Sequence, residues 1–507
     1  PRRAVVAGGD EFRILPIFLT DAWPMLNRLF AKTFRPRWSL LAWGLAAGCL
    51  WGCGSDKPVD EPVKRPFEGE SLAVAVVDDP QLKVVVEQLS AEWSARTGAK
   101  LTVTEVSSEE ATKADYQPAD VLLYPGYLIG PLAEQGKLAE LPKSALNDET
   151  YNYRDILPVL RDRAGGWDSK TVAVPFGSAT AVFAYRADWF EKHNKQPPRT
   201  WSEYQQLAEF FQDREKLQLG EEAGGEANGA WCATYEPLAA GEAGHWLLAR
   251  AAGYARDPAF FFTLFDEGTM EPRIAGPAFR HALDELVAMA KLRPAETPLL
   301  SGQEALARLQ QGEAAMAIVW DLPRPQAGAN TSAARRDNAA VEFAPLPGAD
   351  ITYTIEGAPQ GTTLNQTPVL PGWGRLGSVA AGSRAKEAAV QFLLALSGEE
   401  WGSRVSAASE RSAPFRRSQL VNARDWAPQA SSQAARSWAG SQADNLSHDD
   451  VLFSLRIPGH PRYMAALDRA VAQAVAGEAN STEALKQAAA TWRQITHELG
   501  VPARGCV

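Results

Sequence analysis

The six histidines (His193, His245, His281, His448, His460 and His497) are scattered, and none stands at metal-ligand spacing from a cysteine. HExxH, GxSxG and a phosphate-binding P-loop are absent from the sequence. Glu399-Glu400 and Asp449-Asp450 are adjacent acids. Glycoside hydrolysis needs two carboxylates about 5–10 Å apart across the bond. Neighbours in sequence rarely face each other that way, so solvated loop charge is the better reading. Gly372-Trp373-Gly374-Arg375-Leu376-Gly377 fits GxGxxG, but a dinucleotide site needs a helix directly after it. The SVAAGS that follows reads as strand. The residue types therefore point away from catalysis, metals and nucleotide cofactors, and toward aromatic rings: 16 Trp stand beside 19 Phe and 11 Tyr.

The elements that would position these rings begin at Ser71. SLAVAVVDD is a Val-rich run that reads as a buried strand. Leu82, Val85, Val86, Leu89 and Trp93 recur at helical intervals, and Gly98 stops that helix. AKLTVTEV and ADVLLYP (119–125) are further strands. The order predicts an α/β fold with a largely parallel sheet, on which ligands bind beyond the carboxyl ends of the strands. Residues 171–185 read as two short strands around a polar turn. Thr200 and Glu203 fit a capping box opening a helix, as do Asn480 and Glu483. Further helices are predicted at 236–252, 277–292, 303–312, 384–396 and 480–499, with a buried strand at 314–320 (AAMAIVW). Segments 215–230, 324–340 and 348–370 read as loops and 427–450 as irregular.

The chain has 507 residues, a net charge of −10, 45% apolar and 22% charged residues. This is a folded globular composition, and its acidic balance argues against nucleic acid as a partner. Four cysteines exclude a disulfide scaffold. Residues 25–37 carry four basic side chains and no acid, and residues 38–52 form fifteen positions without charge. That is the order of a secretory signal peptide, and fifteen residues are short for a membrane span, which takes about 20. Leu50-Trp51-Gly52-Cys53 resembles the lipobox of bacterial lipoproteins, which implies lipidation of Cys53; Ala46-Ala47-Gly48-Cys49 competes with it. Residues 1–24 read as an extension upstream of Met25, and residues 53–69 as a tether. Without residues 1–52, which hold seven basic and three acidic side chains, the net charge is −14. The expectation is an acidic protein exported to the periplasm or cell surface, lipid-anchored to a bacterial membrane. Cys232 and Cys506 could pair there or stand as a buried and a free thiol.

Six segments then line up in one order. They are ADVLLYPGYLIGPLAEQGKLAEL, GWDSKTVAVPFGSATAVFAYRADWFEKHNKQPPRTWSEY, ALARLQQGEAAMAIVW, VEFAPLPG, GSVAAGSRAKEAAVQFLLAL and the closing IPGHPRYMAALDRAVAQAVAGEANSTEALKQAAATW. Together they resemble the extracellular solute-binding proteins of ABC importers, in the sugar-binding group that includes maltose-binding protein. The resemblance covers about residues 71–500. Arg186 departs from the Asn the family often has there, and only Ser178 and Thr180 are polar at the Pro-Phe turn.

The resemblance implies two α/β lobes around a hinged cleft, the first at 70–180 and 373–425, the second at 181–372 and 426–503. It implies a monomer without cofactor that captures a carbohydrate and delivers it to the transmembrane subunits of an ABC permease. The alternatives are a polyol, glycerol phosphate or polyamine in the same fold, a secreted glycan hydrolase, and an envelope protein without a transport partner. Matched to the family's positions, the ligand residues are Tyr124 and Tyr127 in the YPGY turn, and Phe176, Ser178 and Thr180 at the first crossing between lobes. Trp320 and Asp321 follow the AAMAIVW strand, Trp373 lies near a second crossing, and Tyr463 matches a family aromatic, with His460 and Arg462 ranked below it. Trp93, Trp189, Trp201 and Trp492 read as core.

Overall fold

The computed structural model describes residues 65–213, 231–255, 263–266, 268–320, 340–409, 411–422 and 430–501, together with Leu217 and Leu322. The signal segment, Cys49, Cys53, most of the tether, Asp321 and Cys506 lie outside the described residues.

The chain opens as strand, helix, strand. Helix Pro80–Thr97 starts where the Asp79 carboxylate accepts the Leu82 N–H, has Pro in its first turn, and ends at Gly98 with φ 85°. It buries Leu82, Val86, Leu89 and Trp93 against a sheet in which Ser71–Val77 pairs parallel with Lys100–Val106 on one side and Val121–Pro125 on the other. Arg375–Val379 and Val174–Pro175 complete this sheet in antiparallel pairings. It is thus mixed and not largely parallel. Arg375–Val379 enters from a crossing, at the end where the parallel strands finish: its first residue, Arg375, sits opposite Pro125, the last of Val121–Pro125.

The second sheet orders its strands Val341–Pro345, Val182–Arg186, Ala314–Val319 and Cys232–Tyr235, and only the last pairing is parallel. Both faces are covered. Phe183, Trp201, Tyr204 and Trp246 pack on one side, and Val182, Leu306, Val319 and Trp438 on the other. Helices Ala243–Ala255, Pro277–Ala290, His460–Val475 and Ser481–Leu499 form the body of this lobe. Capping boxes open helices Trp201–Gln212 and Gly302–Gln310 through Thr200/Glu203 and Ser301/Glu304. At Asn480 the cap is the simpler one, its side chain accepting the Glu483 N–H. Trp93, Trp189, Trp201 and Trp492 are buried. The thiol of Cys232 is buried against the Thr234 carbonyl. No helix among the described residues is long and apolar enough to cross a membrane.

Two stretches differ from their sequence reading. Within 427–450, Ser432–Leu446 is a helix capped by Ser431. Its buried face is Ala434, Ala435, Trp438, Ala439, Gln442 and Asn445, so small and amide side chains replace the aliphatic residues that mark a helix in sequence. Within 348–370, Ala349–Tyr353 and Pro359–Asn365 pair as an antiparallel ribbon.

The connections between the sheets are tied together. The Phe176 N–H donates to the Arg375 carbonyl and the Arg375 N–H to the Gly177 carbonyl, both at 2.9 Å. The Thr180 N–H and hydroxyl donate to Gln442 Oε1 at 2.9 and 2.8 Å, and Gln442 Nε2 donates back to the Thr180 carbonyl at 2.9 Å.

Candidate functional site

Trp320 directly follows strand Ala314–Val319 and is buried at the carboxyl end of the second sheet. Its ring meets Trp373 edge to face, with centroids 4.8 Å apart. Trp373 lies in a crossing whose backbone is pinned to the YPGY turn: the Gly126 and Tyr127 N–H groups donate to the Gly374 and Gly372 carbonyls at 2.7 and 2.8 Å. Gly372 has φ 79°, a conformation that glycine adopts without a steric penalty. His245, in the first turn of helix Ala243–Ala255, packs 4.4 Å from Trp373 and 5.5 Å from His460. His460 opens helix His460–Val475 and stacks flat on Tyr127 at 4.5 Å. The Tyr127 hydroxyl is 2.8 Å from Ser108 Oγ, which in turn bonds the Asp78 carboxylate. Five rings thus run as a chain, and the Tyr127–His460 stack joins the turn after strand Val121–Pro125 of the first sheet to a helix packed with the core of the second.

Four ring nitrogens in this chain are buried without a hydrogen-bond partner among the described residues: Trp320 Nε1, Trp373 Nε1, His245 Nδ1 and His460 Nδ1. Buried polar atoms are normally paired, and four of the unpaired ones among the described residues fall on this one chain of rings. Both imidazoles are held neutral. Burial pushes His460 down to about 3. His245 is also pushed well below the usual histidine range, by burial first and then by His460 and Arg411. A neutral imidazole keeps one donor and one acceptor nitrogen.

Two acid–arginine pairs lie beside the rings. The Arg411 guanidinium lies 4.5 Å from the Trp373 ring centre and binds Glu242 at 3.0 Å. The other Glu242 oxygen accepts the Gly302 N–H at 2.8 Å. Arg375 is buried, bonds Asp79 at 2.9 Å, and donates to the Val77 and Asp78 carbonyls where the first strand ends. A cavity of about 30 Å³ lies alongside, bordered by Ser178, Gly372, Gly374 and Arg375.

Of the residues expected at the site, Tyr127, Trp320 and Trp373 come together and Ser178 borders the cavity. Tyr124, Phe176 and Tyr463 do not join them. Strand Val121–Pro125 is buried on both faces, so the Tyr124 ring is in the core with its hydroxyl 2.7 Å from Ser378 Oγ. Phe176 packs edge-on to Phe415 in the same core. Tyr463 faces the second core, against Phe265 and Trp492, and its hydroxyl meets Thr496. Thr180 is consumed by Gln442 and by Asn445 Nδ2, which donates to its Oγ1 at 2.8 Å. Asp321 lies outside the described residues. Sequence reasoning did not select His245, Glu242 or Arg411. The one signal for the histidines is that each follows a glycine at the opening of a helix, in GEAGHW and IPGHPRY. Among the described residues no group of three or more His, Cys, Asp or Glu could hold a metal ion.

Residues 78–402 match the family described as bacterial extracellular solute-binding protein. An uncharacterized ABC transporter extracellular-binding protein of Pyrococcus horikoshii is 37% identical over 177 residues, 32% of this chain and 40% of that relative. The chain thus spans less than half the length of this curated relative. The sugar-binding protein MalE of Xanthomonas citri superposes with a TM-score of 0.61 at 16% identity, covering 85% of this chain and 100% of that one. An ABC transporter solute-binding protein of Agrobacterium radiobacter, in complex with ribitol, gives 0.58 at 20% identity with the same coverage of 85% and 100%. These likenesses show the fold, a two-lobed one.

Proposed function

The chain belongs to the bacterial extracellular solute-binding protein family, and from that premise we propose that it captures a carbohydrate or polyol between its lobes for an ABC permease. The observation that carries this reading is the set of four buried, unpartnered ring nitrogens on one chain of aromatic rings. Sugars and polyols present apolar faces edged by hydroxyls, and rings with N–H edges suit both. The neutrality of the two imidazoles favours an uncharged ligand. A polyamine would require several carboxylates; Asp79 and Glu242 are bound by Arg375 and Arg411, which leaves Asp78, bonded by Ser108. A phosphorylated ligand would require those same arginines. The ribitol complex and the sugar-binding MalE named above support a neutral hydroxylated ligand. Glycan hydrolysis is the second reading in kind; it needs two carboxylates across the bond, and of Asp78, Asp79 and Glu242 the last two are bound by arginine.

The five rings pack on one another and the cavity beside them, about 30 Å³, holds a water and not a sugar, so on this reading ligand entry requires the lobes to part. Parting them breaks the Tyr127–His460 stack and frees both ring faces; closing them again around the ligand excludes water. We assign the first lobe to 70–180 and 373–425 and the second to 181–372 and 426–503. We assign the anchor to lipidated Cys53, with the protein acting as a monomer in the periplasm or at the cell surface. Capture and release require no covalent chemistry.

Tryptophan fluorescence titrated against mono- and oligosaccharides, polyols, amines and phosphates tests the ligand class. A saturable shift with a neutral sugar or polyol is expected. A response confined to amines or phosphates would exclude the neutral-ligand reading, and turnover of a glycan would exclude binding without chemistry. Incorporation of a fatty-acid analogue should be lost in Cys53→Ala and retained in Cys49→Ala.

A further inference from the structure

A second and larger cavity, about 260 Å³, lies in the second lobe beside the crossings. We propose that it is a separate binding site for a small, neutral, polyhydroxylated molecule. Thr367 lines it and is only 7% exposed, yet its hydroxyl has no hydrogen-bond partner among the described residues. A buried hydroxyl without a partner is costly; other atoms of Thr367 line a space large enough to supply one, which the hydroxyl, closed off in this rotamer, would meet on turning about χ1. Two neighbours in the lining are amides whose nitrogens are already committed. Asn445 Nδ2 donates to Thr180 Oγ1 at 2.8 Å and toward the Ala181 carbonyl at 3.4 Å. Gln366 Nε2 donates to the Leu346 carbonyl at 3.1 Å. What each amide can offer an occupant is its carbonyl oxygen, an acceptor.

Acceptors on the wall select hydroxyl donors. Trp201 and Pro345 add apolar surface to the same lining, which suits the C–H faces of a polyol. Among the described lining residues there is no Lys or Arg; Asp444 is the acid, exposed at the rim, and His448 is a partly buried imidazole whose Nδ1 accepts the Asp450 N–H at 3.3 Å. A phosphate or carboxylate ligand would meet one acid and no permanent cation. None of the five rings of the interlobe site borders this cavity, so the two sites can be occupied and tested separately.

Xylitol is a suitable probe. Crystals soaked in xylitol should show it between Thr367 and Asn445, and calorimetry on the full chain should register saturable binding. Thr367→Val keeps the side-chain shape and should weaken that binding about fivefold, the worth of one ordinary hydrogen bond. Gln366→Ala, at a half-exposed position, should weaken it to a similar degree and covers the case in which Thr367→Val fails to fold. Density for ordered water alone would overturn the proposal. So would xylitol seen only among the Trp320 and Trp373 rings, density without binding in solution, or unchanged affinity in both variants. Failure of the interlobe site to bind any sugar would leave this result readable, because the two positions are distinct in the map.

Discussion

At the scale of single residues, the site is defined by what its polar atoms lack. Removing a donor that meets ligand costs about 1 kcal/mol, whereas removing one without a partner costs no hydrogen bond. Trp320→Phe and Trp373→Phe should therefore weaken ligand affinity about fivefold each by calorimetry, while the smaller ring leaves a cavity that costs the free protein about 1–2 kcal/mol in urea denaturation. A tryptophan serving only as core filling would lose the stability and keep the affinity. The histidines make a pH prediction. His460 is held near 3 by burial, against about 6.5 in an unfolded chain. Between those values the unfolded chain binds more protons, so stability falls as pH drops below about 6.5 and is fully present above it. Each buried histidine contributes a slope of up to about 1.4 kcal/mol per pH unit in that window. His460→Gln should flatten the dependence of the urea midpoint between pH 4 and 7; an unchanged profile would place the ring in water. Trp320 and Trp373 were legible in sequence because one follows a buried strand and the other sits between glycines. His245 was not, because its role depends on a helix opening beside a crossing more than a hundred residues away.

At the scale of elements, the crossings are where backbone packs on backbone. A Cβ on Gly177 would fall 2.0 Å from the Ala413 carbonyl oxygen, at a φ of 101°. Gly177→Ala should destabilise the fold by at least about 2 kcal/mol, since both strain and a clash with rigid backbone oppose it. Gln442→Ala strips the Thr180 N–H and carbonyl of their partners. It should cost about 2–3 kcal/mol, the penalty of leaving buried backbone groups unsatisfied. Urea denaturation of both variants checks these values. The opening strands and the long C-terminal helix were readable because their apolar spacing is regular. Helix Ser432–Leu446 was not, because it packs through alanine and amides whose value depends on the particular backbone they meet.

At the scale of the whole molecule, the proposed capture requires the lobes to part, because the rings of the candidate site pack on one another. A ligand that binds the folded chain at 100 times its Kd adds about 2.7 kcal/mol to stability. Chemical denaturation with and without the ligand found by titration should show that increment. Small-angle scattering should show a population with a larger radius of gyration in the ligand-free protein that contracts on binding. A single compact state with and without ligand would remove lobe opening from the mechanism.

The sequence by itself determined the family, through six segments in order, and the α/β character of the fold. These follow from local periodicity and from short stretches whose spacing is read along the chain. Only the tertiary structure decided which rings meet. It placed Tyr124, Phe176 and Tyr463 in cores and brought His245 and His460 to Trp373 and Tyr127. Facing direction within a strand buried on both sides, and contact between helices far apart in sequence, depend on packing among distant segments, which no local pattern records.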